Sequence, residues 1–464
     1  MKADPTAAPA LAEPIHDPIG ARTLLGALLR GSSDRNRAGR DAILAFLVRA
    51  VSAALLYLSQ VILARWMGSF EYGVYVFVWT SVLMLGGVST LGFGMTMIRL
   101  LPTYRERGER HLFDGLLRAG RLIPLAAATL IAGLGLLAIW LAGERLSGPY
   151  VLSAFIVLFC LPLFTLSEVH DGIGRGSGWL AAGLLPHYVI RPLLVLACMG
   201  LARLSGLAMD AKTAAGAAVV ATWLAAVLQL ALIERKLADE PRADVRRYDI
   251  AGWFRIALPL LVIATCELVL QNADLLIVSR YLSPSDVAIY FAAAKTMSLI
   301  LFVHYAVGSA VANRYAALDV RGDRQALEGL VRDAVNWTFW PSLLGAGLLL
   351  ALGKPLLWLF GPQFTSGYAV MAILALGFLA RSIVGPAEFL LNMLGEQRRC
   401  ALILVLAAVV DIALGLLLVP SLGLIGGAIA TSTALVAAAF AQWLSARRRL
   451  GLRIAIWENL RARP

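Results

Sequence analysis

Apolar stretches of about 20 residues recur along nearly the whole chain, separated by short charged segments. A helix of ~20 residues spans the hydrocarbon layer, and only helices or closed barrels satisfy their backbone groups there. Barrel strands would alternate polar and apolar residues. Blocks such as Leu122–Leu141 and Leu402–Val419 do not. The chain therefore reads as an all-α, polytopic membrane protein. Charged residues make up only 15% of it, against roughly 25% in soluble chains.

Twelve spans are expected, at roughly 42–65, 71–97, 122–142, 149–168, 179–200, 213–234, 256–279, 285–312, 337–359, 366–392, 400–419 and 422–445. The basic residues test that map. With the N-terminus inside, inner segments hold 31 of the 41 Lys and Arg, outer segments and outer helix ends hold six, and four lie within spans. Basic residues concentrate on the cytoplasmic side of membrane proteins, and omitting one span would invert every later loop. An even number of spans with both termini cytoplasmic follows. The net charge of +12 is thus a topology signal, and no nucleic acid is expected as a partner.

The expected partition is a disordered cytoplasmic arm at 1–40, a six-helix lobe at 41–235, a cytoplasmic linker at 236–254, a second six-helix lobe at 255–446 and a basic cytoplasmic tail at 447–464. Cys160, Cys198, Cys266 and Cys400 lie far apart, and the five histidines form no ligand pair at helical spacing. Neither a disulfide framework nor a metal site is expected, and no cofactor. Gly172-Ile-Gly-Arg-Gly-Ser-Gly178 lacks the register of a phosphate-binding loop and reads as a flexible connection. No G-x-x-x-x-G-K-[ST] segment is present, so the chain carries no ATP engine of its own.

An internal repeat organises the spans. Ile62-Leu-Ala-Arg-Trp-Met-Gly-Ser-Phe-Glu-Tyr-Gly-Val-Tyr75 aligns without gaps on Ile277-Val-Ser-Arg-Tyr-Leu-Ser-Pro-Ser-Asp-Val-Ala-Ile-Tyr290. The constant shift pairs Arg65 with Arg280, Glu71 with Asp286, Tyr75 with Tyr290 and Arg99 with Arg314. Six spans per half return the chain to the same side, so the halves are parallel repeats about an axis along the membrane normal, with a central cavity expected between them.

The same block carries a family resemblance. Residues 271–295, Gln-Asn-Ala-Asp-Leu-Leu-Ile-Val-Ser-Arg-Tyr-Leu-Ser-Pro-Ser-Asp-Val-Ala-Ile-Tyr-Phe-Ala-Ala-Ala-Lys, follow Pro259 and resemble the start of the second half of Wzx-type polysaccharide-biosynthesis flippases. These belong to the multidrug/oligosaccharidyl-lipid/polysaccharide exporter superfamily. The resemblance covers residues 40–447. It implies a two-lobed transporter, not an enzyme, in the inner membrane of a bacterial cell. It also implies movement of an undecaprenyl-diphosphate-linked oligosaccharide to the periplasmic leaflet, with a polysaccharide polymerase and other assembly proteins as partners. Lys295 stands where such proteins often carry a basic residue.

Charge within a bilayer costs ~2.5–3.5 kcal/mol on insertion scales and usually faces a cavity or a partner. Arg49, Ala53, Leu56 and Gln60 share an arc of about 60° on the first span. His187 and Arg191 are neighbours on the fifth; Glu267, Gln271 and Asp274 form one stripe on the seventh; Lys295 lies on the eighth. Arg381, Gly385, Glu388 and Asn392 align on the tenth, and Asp411 lies on the eleventh. One reading is a hydrated cationic cavity in which Arg49, Arg191, Lys295, Arg381 and Gln60 bind substrate. Arginine's donor fork suits a diphosphate. Glu267 and Asp274 would then bind a proton or sodium ion exchanged for substrate, and Pro259, just below them, would bend the helix during gating. The other reading is structural: Arg49 snorkels to the cytoplasmic surface, Asp274 pairs with Lys295, and Asp411 pairs with a neighbouring helix. A multidrug or metabolite antiporter of the same superfamily is the competing function. A membrane-embedded polysaccharide polymerase would need a larger outer loop than Leu201–Lys212.

Overall fold

The computed structural model describes the backbone of residues 34–142, 148–241, 243 and 245–461, and side chains from 53 to 458 except 143–147, 242, 244 and 313. Most of the expected N-terminal arm lies outside the described residues. Arg49–Pro464 form one compact unit by backbone contacts, and that unit is described here.

Helix α1 is assigned to Asp34–Ser89 but is broken at Gly68, where φ is 78° and ψ is 168°. Only a residue without Cβ takes that φ at no cost. Tyr72 donates a 2.9 Å hydrogen bond to Gln60 across this break. A straight helix would hold the two ~18 Å apart, so the chain doubles back at Gly68. The second span continues from Ser69 through α2 (Phe93–Glu106). Then come α3 (Arg110–Ala142), the bent pair α4 (Val151–Leu158) and α5 (Leu161–Gly176), and the fifth span. That span is α6 (Leu180–Leu185), a π-turn at Pro186–Ile190 and α7 (Arg191–Leu204). Helix α8 (Ala211–Ala238) completes the first lobe.

The second lobe contains α9 (Ile250–Tyr281), α10 (Pro284–Ser298) with α11 (Leu301–Arg321), and α12 (Arg324–Ala351). A short α13 (Gly353–Phe360) precedes the tenth span, α14 (Tyr368–Ile383) and α15 (Ala387–Met393). Helices α16 (Gln397–Leu422) and α17 (Leu424–Ser445) end the lobe, and α18 (Ile456–Arg461) follows. Among the described residues ten helices are long and apolar enough to cross a membrane, eleven with the bent pair. The reversal at Gly68 divides the first of these, which gives the twelve expected spans.

Contacts gather into two sets. Helices α2 to α8 pack on one another, as do α9 to α17. The seam between the sets includes α9 against α2, where the buried Trp253 indole donates to Tyr104 Oη at 3.0 Å. The odd-numbered turns (Gly68, Leu282–Ser283, Gly423) lie at one end, here the turn end. The arginine-rich segments near 105–110, 235–247, 321–324 and 446–453 lie at the other, the basic end.

Two segments differ from the sequence reading. The glycine run 172–178 is helical through Gly176, and Gly172, Gly174 and Gly176 are packing surfaces. A Cβ on Gly172 would lie 2.2 Å from the Gly94 carbonyl oxygen, and one on Gly176 2.6 Å from that of Met97. Close helix approach, not flexibility, uses them. The segment expected as a basic tail turns back at Gly451, and Leu452, Ile454, Ala455 and Ile456 are buried against the second lobe. Arg324 fastens it through a 2.5 Å bond to the Leu450 carbonyl.

Candidate functional site

At the turn end the lobes meet in a dry seal. One apolar cluster joins Leu63, Tyr72 and Val76 of the first lobe to Val287, Phe360 and Phe364 of the second. The repeat-related turns touch directly: Ser69 Oγ donates to Ser285 Oγ at 3.2 Å. Gly73 lies so close to Pro284 that a Cβ there would sit 1.7 Å from its carbonyl oxygen. Arg65 reaches across to the carbonyls of Leu359 (2.6 Å) and Trp358 (2.5 Å). Below them the Tyr57 ring meets Phe360 edge-on at 5.5 Å, and its hydroxyl lies 3.1 Å from Thr296 Oγ1.

Toward the basic end the apolar cores separate. One is drawn from the first lobe plus Trp253, the other from the second lobe with its returning tail. Polar residues at mid-height are partly exposed here: Gln60, Glu267, Gln271 and Lys295. On α9 the exposed Leu258 and Val262 mark the lipid face. At 100° per residue, Glu267, Gln271 and Asp274 lie on the opposite side, roughly 180° away. The stripe thus faces the interior.

Lys295 is adjacent to Thr296 and so lies at the floor of the seal, ~16 Å along α10 from its start. Its ammonium is 5.4 Å from the Phe291 ring centroid. It forms no ion pair with Asp274, which is turned elsewhere. Asp274 Oδ1 accepts Leu275 N–H at 2.8 Å, and Oδ2 accepts Tyr290 O–H at 2.7 Å. The Thr431 hydroxyl lies 3.3 Å from Asp274 Oδ2 and 3.1 Å from Asp411 Oδ1. One hydroxyl hydrogen can serve only one of these acceptors, and Asp411 Oδ2 is buried without a partner. Two carboxylates so placed repel each other unless a proton or cation intervenes. The repeat places Ser59 where Asp274 stands, so this acidic pair belongs to the second lobe alone.

The remaining expected residues sit elsewhere. Arg191 is buried in the first lobe, its guanidinium 5.1 Å from Trp79 and 5.2 Å from Phe164. Beside it His187 Nε2 meets Glu168 Oε1 at 2.9 Å. Arg381 grips Glu388 at 2.5 Å across the break at Gly385–Pro386, and His304 lies 3.4 Å from the same oxygen. Glu267 is within electrostatic reach of both. Each lobe therefore carries a Glu–His–Arg cluster at a helix irregularity. The side chain of Arg49 lies outside the described residues. Glu168 was missed because the fourth span was expected to end at it, and His304, Tyr290 and Thr431 because lone polar residues on apolar helices carry no pairing signal.

A buried ion pair is costly to break from one side, about 3–5 kcal/mol. Arg381→Ala should therefore destabilise the protein by that order, while Arg381→Met with Glu388→Leu restores much of it. Thermal unfolding in detergent checks this. Equal melting of wild type and Arg381→Ala would show that the pair braces nothing.

Comparison with known proteins places this geometry. The family model described as polysaccharide biosynthesis protein matches residues 38–312, more than half of the chain. The chain belongs to that family. A second model, MatE, matches residues 259–417. A relative of this polysaccharide biosynthesis protein is the probable low-salt glycan biosynthesis flippase Agl15 of Haloferax volcanii, 25% identical over 167 residues. The match covers 34% of this chain and spans about a third of that relative. Among solved structures, the inward-facing form of a multidrug resistance MATE family transporter of the MOP superfamily has a TM-score of 0.73 at 16% identity. It covers 90% of this chain and 100% of the other. The outward-facing form of such a transporter scores 0.64 at 14% identity, covering 91% and 97%. The lipid II flippase MurJ in an inward closed conformation scores 0.66 at 17% identity, covering 87% of each. The fold is thus the one these solved structures share.

Proposed function

We propose that this polysaccharide biosynthesis protein flips an undecaprenyl-diphosphate-linked oligosaccharide from the cytoplasmic to the periplasmic leaflet by alternating access. The basic end is taken as cytoplasmic, which sets both termini there. The carrying observation is Lys295: a partly exposed cation at mid-height, directly beneath a dry cross-lobe seal. A diphosphate entering from the basic end would meet that charge and stop below Tyr57–Thr296. Gln60 and Gln271 offer hydrogen bonds to sugar hydroxyls at the same depth. Arg49, which the helical period puts on the same arc as Gln60, is assigned to the approach by that period alone. Arg381 is assigned instead to bracing the tenth span, and Arg191 to the interior of the first lobe. Passage then requires the seal to open and the basic end to close.

Coupling is assigned to Asp274 and Asp411. Binding a proton or sodium ion between them relieves their repulsion, and Tyr290 ties Asp274 to α10, which bears Lys295. Glu267 lies about two turns nearer the basic end than Asp274 and would take up the ion first.

The test is reconstitution in liposomes with a labelled polyprenyl-diphosphate glycolipid. Protein should bring the label to the far leaflet, and an imposed ion gradient should accelerate this about tenfold. Asp411→Asn should retain flipping and lose the gradient response. A translocation rate equal to protein-free vesicles would reject the flippase reading. The match to the MatE model favours one other reading, an antiporter for drugs or metabolites; transport of organic cations but not glycolipid by the same vesicles would support it.

A further inference from the structure

A polar cavity lies on the flank of the first lobe at its basic end. It has a volume of about 400 Å³ and is formed by α3, the end of α8 and the linker that leads to α9. The linker is strapped to α3: Arg247 N–H donates to the His111 carbonyl at 3.0 Å, and Ala243 N–H to Asp114 Oδ2 at 2.8 Å.

Arg118, Arg121 and Arg246 line this cavity. Its carboxylates are already engaged. Glu240 holds Arg105 at 2.8 Å and Arg110 at 3.0 Å, Glu234 holds Arg121 Nη1 at 2.5 Å, and Asp114 accepts the linker amide. Among the described residues, five arginines thus face three carboxylates. Arg121 still has Nε and Nη2 buried with no hydrogen-bond partner among the described residues. Arg118 and Arg246 are exposed and form no ion pair among the described residues. An anion with several acceptor oxygens would satisfy these donors.

The cavity's position selects the kind of anion. Its rim includes Leu122, which is 53% exposed, and the exposed side chains above Glu234 on the same side of α8, Trp223 and Val227, are apolar. That flank faces lipid tails, and the arginines stand where lipid phosphates lie. Guanidinium forks match phosphate oxygens, and basic pockets between helices at this level suit lipid headgroups. We infer that Arg118, Arg121 and Arg246 form a binding site for the phosphate of an anionic phospholipid whose acyl chains lie along α3 and α8. Its occupancy would pin the start of the linker, and through it the first-lobe end of α9, the helix that carries Glu267 and Asp274.

Native mass spectrometry of the delipidated full-length protein tests this, with phosphatidylglycerol, phosphatidylcholine and inorganic phosphate as separate probes. Wild type should retain phosphatidylglycerol in preference to phosphatidylcholine. Arg118→Ala with Arg246→Ala should weaken phosphatidylglycerol binding about thirty-fold. The corresponding double lysine variant should recover most of it. Both positions are exposed, so the fold should persist, and an unchanged melting temperature without lipid verifies that. Equal retention of the two lipids overturns the site. So does undiminished phosphatidylglycerol binding by the double alanine variant. Displacement of phosphatidylglycerol by an equal concentration of inorganic phosphate would assign the cavity to a soluble anion and overturn it as well.

Discussion

Lys295→Ala should reduce glycolipid translocation by about a hundredfold or more, while the purified protein keeps its size-exclusion profile and melting behaviour. The side chain makes no ion pair among the described residues, so its removal breaks none, although it withdraws a longer-range attraction from the buried Asp274. Its ammonium lies over the Phe291 ring, 5.4 Å from the centroid. A cation in that setting contributes little to folding and much to an incoming anion. Truncating a group that pairs with a desolvated opposite charge commonly costs 2–5 kcal/mol or more, which is the source of the hundredfold figure. Lys295→Arg keeps the charge but replaces a compact ammonium with a broad fork, so partial activity is expected. Export by Lys295→Ala at the wild-type rate would remove the cationic chamber from the mechanism, whatever the fold.

Joining the two repeat turns should stop transport to background. Ser69 and Ser285 have their hydroxyls 3.2 Å apart, a separation that brings their β-carbons near disulfide range. In a protein whose four cysteines (Cys160, Cys198, Cys266 and Cys400) are replaced, Ser69→Cys with Ser285→Cys should oxidise readily. A reductant should restore transport. Gly73→Leu supplies the opposite perturbation. Its side chain cannot coexist with the Pro284 carbonyl at the present spacing, so the turns must part. An impermeant maleimide should then label a cysteine at 285 faster than in the parent. Complete cross-linking with undiminished transport would mean that the seal at Tyr57, Tyr72, Phe360 and Phe364 never opens in the cycle.

The repeat was the most informative part of the sequence. Pairing Gly68–Tyr75 with Ser283–Tyr290 anticipates two equivalent turns, and the structure brings those turns into contact. The stripe Glu267–Gln271–Asp274 was legible because 100° per residue puts the three on one side of the helix. Which stripe residues face the open space and which face a neighbouring helix was not legible. Asp274 lies against Tyr290, Thr431 and Asp411, from three different spans, and a helical period describes one span at a time. Arg381 illustrates the same limit. Its alignment with Glu388 was visible, but the break at Gly385 and Pro386 that turns the two toward each other depends on packing against Val335.

What the sequence determined alone is the class of object: twelve spans in two parallel halves, with an excess of arginine at one end. Those follow from the hydrocarbon thickness, the need to satisfy every backbone group within it and the bias of charge across it. Tertiary structure decided the rest: that the lobes are sealed at the turn end, that Lys295 makes no ion pair among the described residues while Arg381 does, and that two aspartates share one hydroxyl. These depend on contacts between residues as much as 294 positions apart, such as Arg65 with Leu359. Their energies come from the close approach of separate helices, which no local pattern along the chain encodes.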